Sequence, residues 1–194
     1  MLKRFVLVLA MLVAVVGAPL PALARSGSNS GSLSDTYSAD ELVNTGSAFF
    51  GSVAQGLASV VEKAVSQFGL PNGYILGDEG SGAVILGARY GQGTMYTRNA
   101  GDLTVYWQGP SVGWDFGGNA SKMFVLVYNL REPDRIFQKF PGVDGSFYLV
   151  AGLGVNYMRA NGITLAPMRS GVGLRAGVSA GYVTFTRQQT YNPF

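Results

Sequence analysis

The chain has 194 residues, carries a formal net charge of +3 and contains neither cysteine nor histidine. Without cysteine there can be no disulfide, no lipoprotein acylation site and no thiolate chemistry. Without histidine, Ser-His and Cys-His catalysis and imidazole metal sites are excluded. The composition therefore indicates a protein that its core alone must stabilise, with few enzyme classes open to it.

The first 24 residues predict an export signal. Lys3 and Arg4 precede an apolar run from Phe5 to Ala18, and Ala22-Leu23-Ala24 supplies small residues for cleavage. This order of charged, apolar and small-residue regions is typical of a secretory signal peptide. The alternative, a single membrane anchor, needs ~20 apolar residues, more than this run supplies. We therefore predict a signal peptide at 1–24, cleaved after Ala24, and a periplasmic mature chain.

Removal of the signal peptide changes what the charge implies. The mature chain would hold 12 basic and 11 acidic residues, a net charge of +1. A protein so near neutrality offers no general electrostatic attraction for nucleic acid. We predict no nucleic-acid partner and, with about 170 residues left, one domain with a sizeable core.

Two segments precede the predicted strands. Residues 25–36 are rich in Ser and Gly and should form a flexible tether, followed by one domain at 37–190. Helical periodicity begins at Ser38, which can cap the helix while Glu41 completes a capping box. An apolar stripe continues to Gln67, although three glycines spaced five residues apart each cost the helix ~1 kcal/mol relative to alanine. We predict a helix at 38–67 that packs on a sheet.

From Tyr74 onwards, apolar runs closed by glycine or polar residues predict antiparallel strands. Gly91-Gln92-Gly93 and Asn99-Ala100-Gly101 are expected to be turns, because glycine adopts positive φ without a Cβ clash. Gln108-Gly109-Pro110 should end the strand that follows. Met123 to Tyr128 is apolar on both faces and predicts a strand buried on both sides.

The later part predicts a short helix and three more strands. Glu132 to Phe140 has Pro133 in its first turn and apolar residues at helical spacing. Ser146 to Arg159 should be one strand, and Asn161-Gly162 a hairpin turn. Ile163 to Met168 should be a shorter strand, and Pro167 should lie either in an edge strand or at the end of this strand. The last strand should span 171–186, with alternating glycines on one face that fit tight curvature or a binding groove.

At this point the residues resemble known families. Gly87 to Gly93, Trp107 to Pro110, Phe124 to Val127 and Gly171 to Arg175 resemble the SYLF domain, a lipid-associated β-rich module. With the preceding signal, tether and helix, nearly the whole mature chain is more similar to the periplasmic envelope-integrity proteins of alphaproteobacteria, of the EipA type.

The resemblance implies a mainly β fold. We expect a small soluble antiparallel β-barrel, with the N-terminal helix packed on it and one short helix inserted between strands. It also implies a role in maintaining the envelope of a Gram-negative cell and no known reaction.

Groups that could catalyse a reaction are sparse. None of the three lysines of the mature chain shows the S-x-x-K spacing. Asp78, Glu79, Asp115 and Asp144 lie beside glycines in predicted turns, where such side chains usually bind their own backbone. We therefore predict no enzyme activity, no cofactor and no metal site.

Arginines at predicted strand ends are the candidate ligand-binding residues. The simplest interpretation is that each one, Arg98 and Arg187 included, pairs with a turn carboxylate or is solvated. Alternatively, several ring one barrel mouth and hold a phosphate or carboxylate head group, with tryptophans supplying apolar surface beside it; those tryptophans would otherwise be ordinary core. The candidate ligand-binding residues are Arg89, Arg159, Arg175, Trp107 and Trp114.

Two classes of function stay open. The first is a periplasmic protein that binds or scaffolds an envelope lipid or a polysaccharide or peptidoglycan-related polymer, with peripheral membrane contact. The second is an outer-membrane-associated structural or assembly component, which the C-terminal Phe194 favours. A transmembrane barrel needs one apolar and one polar face on each strand. Since Met123 to Tyr128 is apolar on both faces, we favour the first class.

Overall fold

A computed structural model describes residues 35–115, 121–170 and 181–191, with the backbone alone at 53, 81–87 and 111–115. The predicted signal peptide therefore lies outside the described residues, as does most of the predicted tether. Within the described ranges, no helix has the length and apolar character needed to cross a membrane.

The N-terminal helical segment consists of two α-helices, α1 (Ala39–Phe50) and α2 (Leu57–Phe68), joined by a 3-10 helix, η1 (Gly51–Gly56). Ser38 caps α1 as predicted, because its Oγ accepts a hydrogen bond from the Glu41 N–H at 3.3 Å. The prediction of one continuous helix is wrong. Gly51 has φ 65°, a left-handed conformation that glycine adopts readily, and it ends α1 there.

Nine strands form one antiparallel sheet in the described ranges. They are β1 (Gly73–Thr97), β2 (Gly101–Asp115), β3 (Ser121–Tyr128), β4 (Lys139–Pro141), β5 (Tyr148–Val150), β6 (Leu153–Val155), β7 (Met158–Ala160), β8 (Ile163–Arg169) and β9 (Tyr182–Thr186). A short 3-10 helix, η2 (Pro133–Ile136), lies between β3 and β4.

The sheet closes on itself. Its order is β4-β9-β2-β1-β3-β8, and β8 pairs with β7 near its start and with β6 near its end. Gly142, directly after β4, bridges Met158 in β7, and the Val143 N–H donates to the Tyr157 carbonyl oxygen at 2.8 Å. The predicted fold class, a mainly β antiparallel barrel with a helical segment at its N-terminus, is confirmed, although that segment is two α-helices and not one, and the short helix between strands is the 3-10 helix η2.

Strand β3 separates two cores, which explains why its sequence is apolar on both faces. Met123, Val125 and Val127 face the barrel interior and belong to one core. Phe124, Leu126 and Tyr128 face outwards and pack with the buried side chains of α1 and α2 in the other core. All six residues are buried, so the prediction for this strand is confirmed.

The first hairpin differs from the prediction in two places, and close packing of glycine explains one of them. The turn at Asn99–Gly101 is confirmed, with Gly101 at φ 73°. The turn at Gly91–Gly93 is wrong, because both glycines lie inside β1. A Cβ on Gly91 would overlap the indole ring of Trp107, so this glycine serves close packing. Pro110 does not end β2 but pairs with Ala88 within it.

The region after β3 is more broken than predicted. The helix expected at 132–140 is only the 3-10 turn η2, followed by β4. The single strand expected at 146–159 is interrupted at Ala151 and Gly152, whose φ values are 45° and 85°. The hairpin turn at Asn161-Gly162 is confirmed, with φ values of 47° and 81°. For the last predicted strand, the structure describes β9, and 171–180 lie outside the described residues.

Pro167 does not lie at an edge, because β8 pairs with β3 on one side and with β6 and β7 on the other. Its carbonyl oxygen accepts from the Asn156 N–H at 3.4 Å, at the break between β6 and β7. In an antiparallel strand, the nitrogen and oxygen of one residue point to the same side. The break therefore falls where proline has no N–H to donate.

Candidate functional site

Polar side chains meet inside the barrel, and strand alternation puts them there. Glu79 lies in phase with Ile75 on β1, and Arg169 lies in phase with Leu165 on β8; both apolar residues belong to the interior core. We call this group the interior cluster: Glu79, Arg89, Trp107, Asn156 and Arg169.

Glu79 is the hub of the interior cluster and only 5% exposed. Its Oε1 accepts from Arg169 Nε at 3.0 Å, and its Oε2 accepts from Trp107 Nε1 at 2.9 Å. Arg169 also donates from Nη1 to Asn156 Oδ1 at 3.0 Å. One carboxylate thereby joins β1, β2 and β8 and fixes the guanidinium of Arg169.

Arg89 reaches the same interior from the other half of β1. It is 7% exposed and lies opposite Gly109 of β2. A Cβ on Gly109 would overlap the Tyr182 carbonyl oxygen, towards which Arg89 Nη2 donates at 3.5 Å. The missing side chain at Gly109 therefore lets β9 come close enough to contact Arg89.

The charges of the interior cluster act on one another. Burial raises the pKa of Glu79, but the charges of Arg169 and Arg89 and the hydrogen bonds from Arg169 and Trp107 outweigh it, so the pKa lies below its ordinary value of 4.5. Burial and repulsion by Arg169 lower the pKa of Arg89 to about 10, against the attraction of Glu79. At neutral pH the Glu79 carboxylate and the Arg89 guanidinium are therefore charged.

Two buried donors of the interior cluster have no acceptor in the described part of the chain: Arg169 Nη2 and Asn156 Nδ2. The exposed fractions of Arg169 and Asn156 are 9% and 3%. Since Arg169 Nη1 is bonded to the amide of Asn156, the two donors belong to neighbouring groups. Unsatisfied buried N–H groups are rare in native proteins and indicate a place for a further acceptor.

The structure brings together two of the predicted ligand-binding residues, Arg89 and Trp107. Arg159 does not join them. It is exposed on β7, donates to Thr164 Oγ1 at 3.1 Å and lies 6.0 Å from the ring of Phe68. Arg175 and the side chain of Trp114 lie outside the described residues, although the backbone of Trp114 pairs with Val84.

Two other arginines follow the simpler interpretation and pair with carboxylates. Arg98 forms an ion pair with Glu41, and Arg187 lies 2.9 Å from Asp134 on the surface. Neither faces the interior cluster.

Sequence analysis missed three members of the interior cluster: Glu79, Asn156 and Arg169. Gly80 after Glu79 predicts a turn there, whereas the inward positions of β1 reach Glu79 in steps of two. The predicted strand at 163–168 stopped one residue before Arg169, whose inward phase the same alternation gives. No sequence pattern marks Asn156 as an interior residue, because the break between β6 and β7 depends on the partner strand.

No curated protein matches the chain. The family model described as envelope integrity protein A matches residues 35–194. The chain belongs to the envelope integrity protein A family. It is also similar to a solved structure titled as a beta-barrel-like, uncharacterised protein from Brucella abortus. The two share 53% identity with a TM-score of 0.75, over 82% of this chain and 99% of that one.

Membership of this family confirms the predicted resemblance and an envelope-integrity role. The similar crystal structure agrees with the barrel described above. The likeness to the SYLF domain stays a prediction. In the described ranges, no group of three or more His, Cys, Asp or Glu residues could hold a metal ion.

Proposed function

We propose that the chain maintains the cell envelope as a non-enzymatic binding protein whose interior cluster holds a phosphate or carboxylate group of an envelope component. The family supports the envelope role. The binding proposal rests on the two buried donors, Arg169 Nη2 and Asn156 Nδ2, which have no acceptor among the described residues.

An anionic oxygen between these donors would satisfy both. A buried donor without an acceptor costs about 1–3 kcal/mol, and a hydrogen bond to a charged group contributes about 1.5–3 kcal/mol. The guanidinium of Arg169 is already oriented by Glu79 and Asn156, so little side-chain entropy is lost on binding. Arg89 adds a second positive charge that acts on the same carboxylate, Glu79.

The interior cluster suits binding better than acid-base catalysis. Both carboxylate oxygens of Glu79 are occupied, by Arg169 and Trp107, and its pKa is held below 4.5. Because its pKa is lowered, this carboxylate is an even weaker base than an ordinary one at neutral pH. The sequence has no histidine that could serve instead. The proposed function therefore includes no reaction.

The proposed location is the periplasm, after cleavage behind Ala24. There the interior cluster would meet anionic lipid head groups and the charged polysaccharide or peptidoglycan-related polymers of the envelope, with peripheral membrane contact. The family match supports action at the cell envelope.

Asn156→Asp tests the binding proposal with almost no change of shape. The new carboxylate still accepts from Arg169 Nη1, so the fold should keep its melting temperature. The free donor becomes an acceptor and repels an anion, so affinity should fall about tenfold or more. We would measure thermal shift with inorganic phosphate, and co-sedimentation with phosphatidylglycerol against phosphatidylcholine vesicles.

Asn44→Asp is the matched control, because Asn44 is exposed on α1 and the substitution is the same. Phosphate binding without vesicle binding would identify a soluble anion, and binding to phosphatidylglycerol vesicles a lipid head group. If the wild-type chain binds neither probe, or Asn156→Asp binds like Asn44→Asp, the proposal is wrong. A purely scaffolding role would then remain. In that case the contacts by which Glu79 joins three strands would serve only to stabilise the barrel.

A further inference from the structure

We infer a second binding site at the other end of the barrel, for a saccharide that carries phosphate or carboxylate groups. A cleft of about 830 Å³ opens there between the turn that joins β1 and β2, the loop after β3 and the hairpin turn that joins β7 and β8. We call it the polar cleft; its lining includes Arg98, Asn99, Asn129, Arg131, Arg135 and Asn161.

The polar cleft is separate from the interior cluster. Strand β3 begins beside the interior cluster, where Ser121 pairs with Glu79 and Met123 with Arg169. It ends at Tyr128, directly before Asn129 of the polar cleft. Eight residues of strand separate the two sites, about 25 Å at 3.3 Å per residue. A ligand in the polar cleft therefore needs no part of the proposed interior site.

The polar cleft has an excess of positive charge, and two of its guanidinium groups are available to bind an anion. Asp35, the one acid among the described lining residues, accepts a hydrogen bond from Asn99. Arg98 is engaged by Glu41 and by the Thr36 carbonyl oxygen. Arg131 and Arg135 are exposed, and neither guanidinium has a partner among the described residues. These two arginines are therefore free to bind an anion.

One amide side chain of the polar cleft holds its wall together, and others are available to bind a ligand. Asn72 is committed to the wall, because its side chain both donates to and accepts from the backbone of Leu130. Asn161 donates to Gln138, and its Oδ1 has no partner among the described residues. Asn129 is exposed, with φ 60° at the end of β3, and its side chain has no partner in the described part of the chain.

This chemistry selects the class of ligand. Guanidinium groups bind phosphate or carboxylate with two parallel hydrogen bonds, and amides can donate to and accept from hydroxyl groups. Leu130 and Pro133 are the large apolar side chains of the described lining, and no aromatic ring is among them. A lipid acyl chain would find little apolar surface there, and a single-stranded nucleic acid would find no stacking platform. An anionic saccharide matches both groups of side chains.

Isothermal titration of the mature chain tests the inference. The charged probes are a galacturonate trimer and glucose 6-phosphate, and the neutral probe is maltotriose. We expect the charged saccharides to bind and maltotriose not to bind. Arg131→Gln and Arg135→Gln should each weaken affinity about tenfold, because each removes one charge-assisted contact. Since both residues are exposed and their side chains have no partner among the described residues, the variants should melt like the wild-type chain.

A double variant, Lys63→Gln with Lys139→Gln, is the matched control, because it removes two exposed positive charges that do not line the polar cleft. It should bind like the wild-type chain. The inference is overturned if neither charged saccharide binds, or if both arginine variants bind like the control. It is also overturned if maltotriose, inorganic phosphate or a glutamate trimer binds the polar cleft, judged by the loss of that binding in Arg131→Gln, as tightly as the charged saccharides. The last result would indicate an acidic peptide instead.

Discussion

Glu79 shows how one buried side chain can join the strands of the barrel. Its two oxygens accept hydrogen bonds from β8 and β2, and its backbone pairs with β3. A buried ion pair is weak evidence for stability by itself, because desolvation offsets the attraction. Removal of one partner is a different matter, since it leaves the other charge buried and uncompensated.

Glu79→Gln should destabilise the protein by about 3–5 kcal/mol at neutral pH, because it leaves the buried guanidiniums of Arg169 and Arg89 without a counter-charge. The amide also cannot accept at both ends, so it loses either Arg169 or Trp107. Chemical unfolding of both proteins measures the difference in free energy. Glu62→Gln, exposed on α2, is the control for the same substitution and should have almost no effect.

The effect of Glu79→Gln should depend on pH in one direction. The pKa of Glu79 is lowered in the folded state, so its contribution is complete above the ordinary value of 4.5 and is lost as the pH falls through the folded-state pKa. The difference between the wild-type chain and the variant should therefore shrink below pH 4.5. A constant difference from pH 7 to pH 3 would contradict the assigned role of this carboxylate.

Among the structural elements, the ones best predicted from sequence depend on local chemistry. The cap at Ser38 and the turns at Asn99–Gly101 and Asn161-Gly162 need only residues that are neighbours in the chain. Glycine is a poor predictor of turns where it serves tertiary packing. A Cβ on Gly77 would overlap the Gln92 carbonyl oxygen, and one on Gly93 the Leu76 carbonyl oxygen. Sequence alone does not tell such a close approach from a turn.

The same limit applied to the candidate site. Arg89 is a candidate because a predicted strand ends near it, and Trp107 because its ring would supply apolar surface beside such arginines; the structure instead places Arg89 inside β1 and Trp107 inside β2. Glu79 and Arg169 were missed because their strands extend further than the local pattern indicates. The closed ring of strands decides where each strand ends, and that information is non-local.

The two α-helices are integral to the fold, since they cover the outer face of β3. Val60→Asp should lower the free energy of unfolding by several kcal/mol. Val60 is fully buried in the core between the helices and the outer face of β3, and the new charge would have no partner there. Ala58→Asp on the same helix is the control, because Ala58 is exposed. Thermal melting compares them; equal melting temperatures would mean that α2 is only loosely attached to the barrel.

At the scale of the whole molecule, β3 is the shared wall of two cores and the connection between two proposed sites. Its inward residues fill the barrel and its outward residues anchor the helices. The interior cluster and the polar cleft lie at its two ends. The strand pairs with β1 over 121–127 and with β8 over 123–128, and residues 123–128 are buried, so it should act as a rigid spacer rather than as a switch with two arrangements.

The two proposed sites should therefore act independently. Asn156→Asp should weaken anion binding at the interior cluster without changing the affinity of the polar cleft for glucose 6-phosphate. The double variant Arg131→Gln with Arg135→Gln should weaken binding of glucose 6-phosphate at the polar cleft without changing anion binding at the interior cluster. The changes in unfolding free energy should add within about 0.5 kcal/mol in the combined variant, because sites more than about 10 Å apart with no shared partner rarely couple.

Titration of each probe against all three variants measures the coupling directly. Binding free energies are reciprocal, so any effect of an occupied interior cluster on the polar cleft must equal the effect in the other direction. A change of more than about fivefold at the unmodified site would correspond to about 1 kcal/mol of coupling. That result would contradict a rigid β3 and would require two arrangements of this strand, each favoured by one ligand.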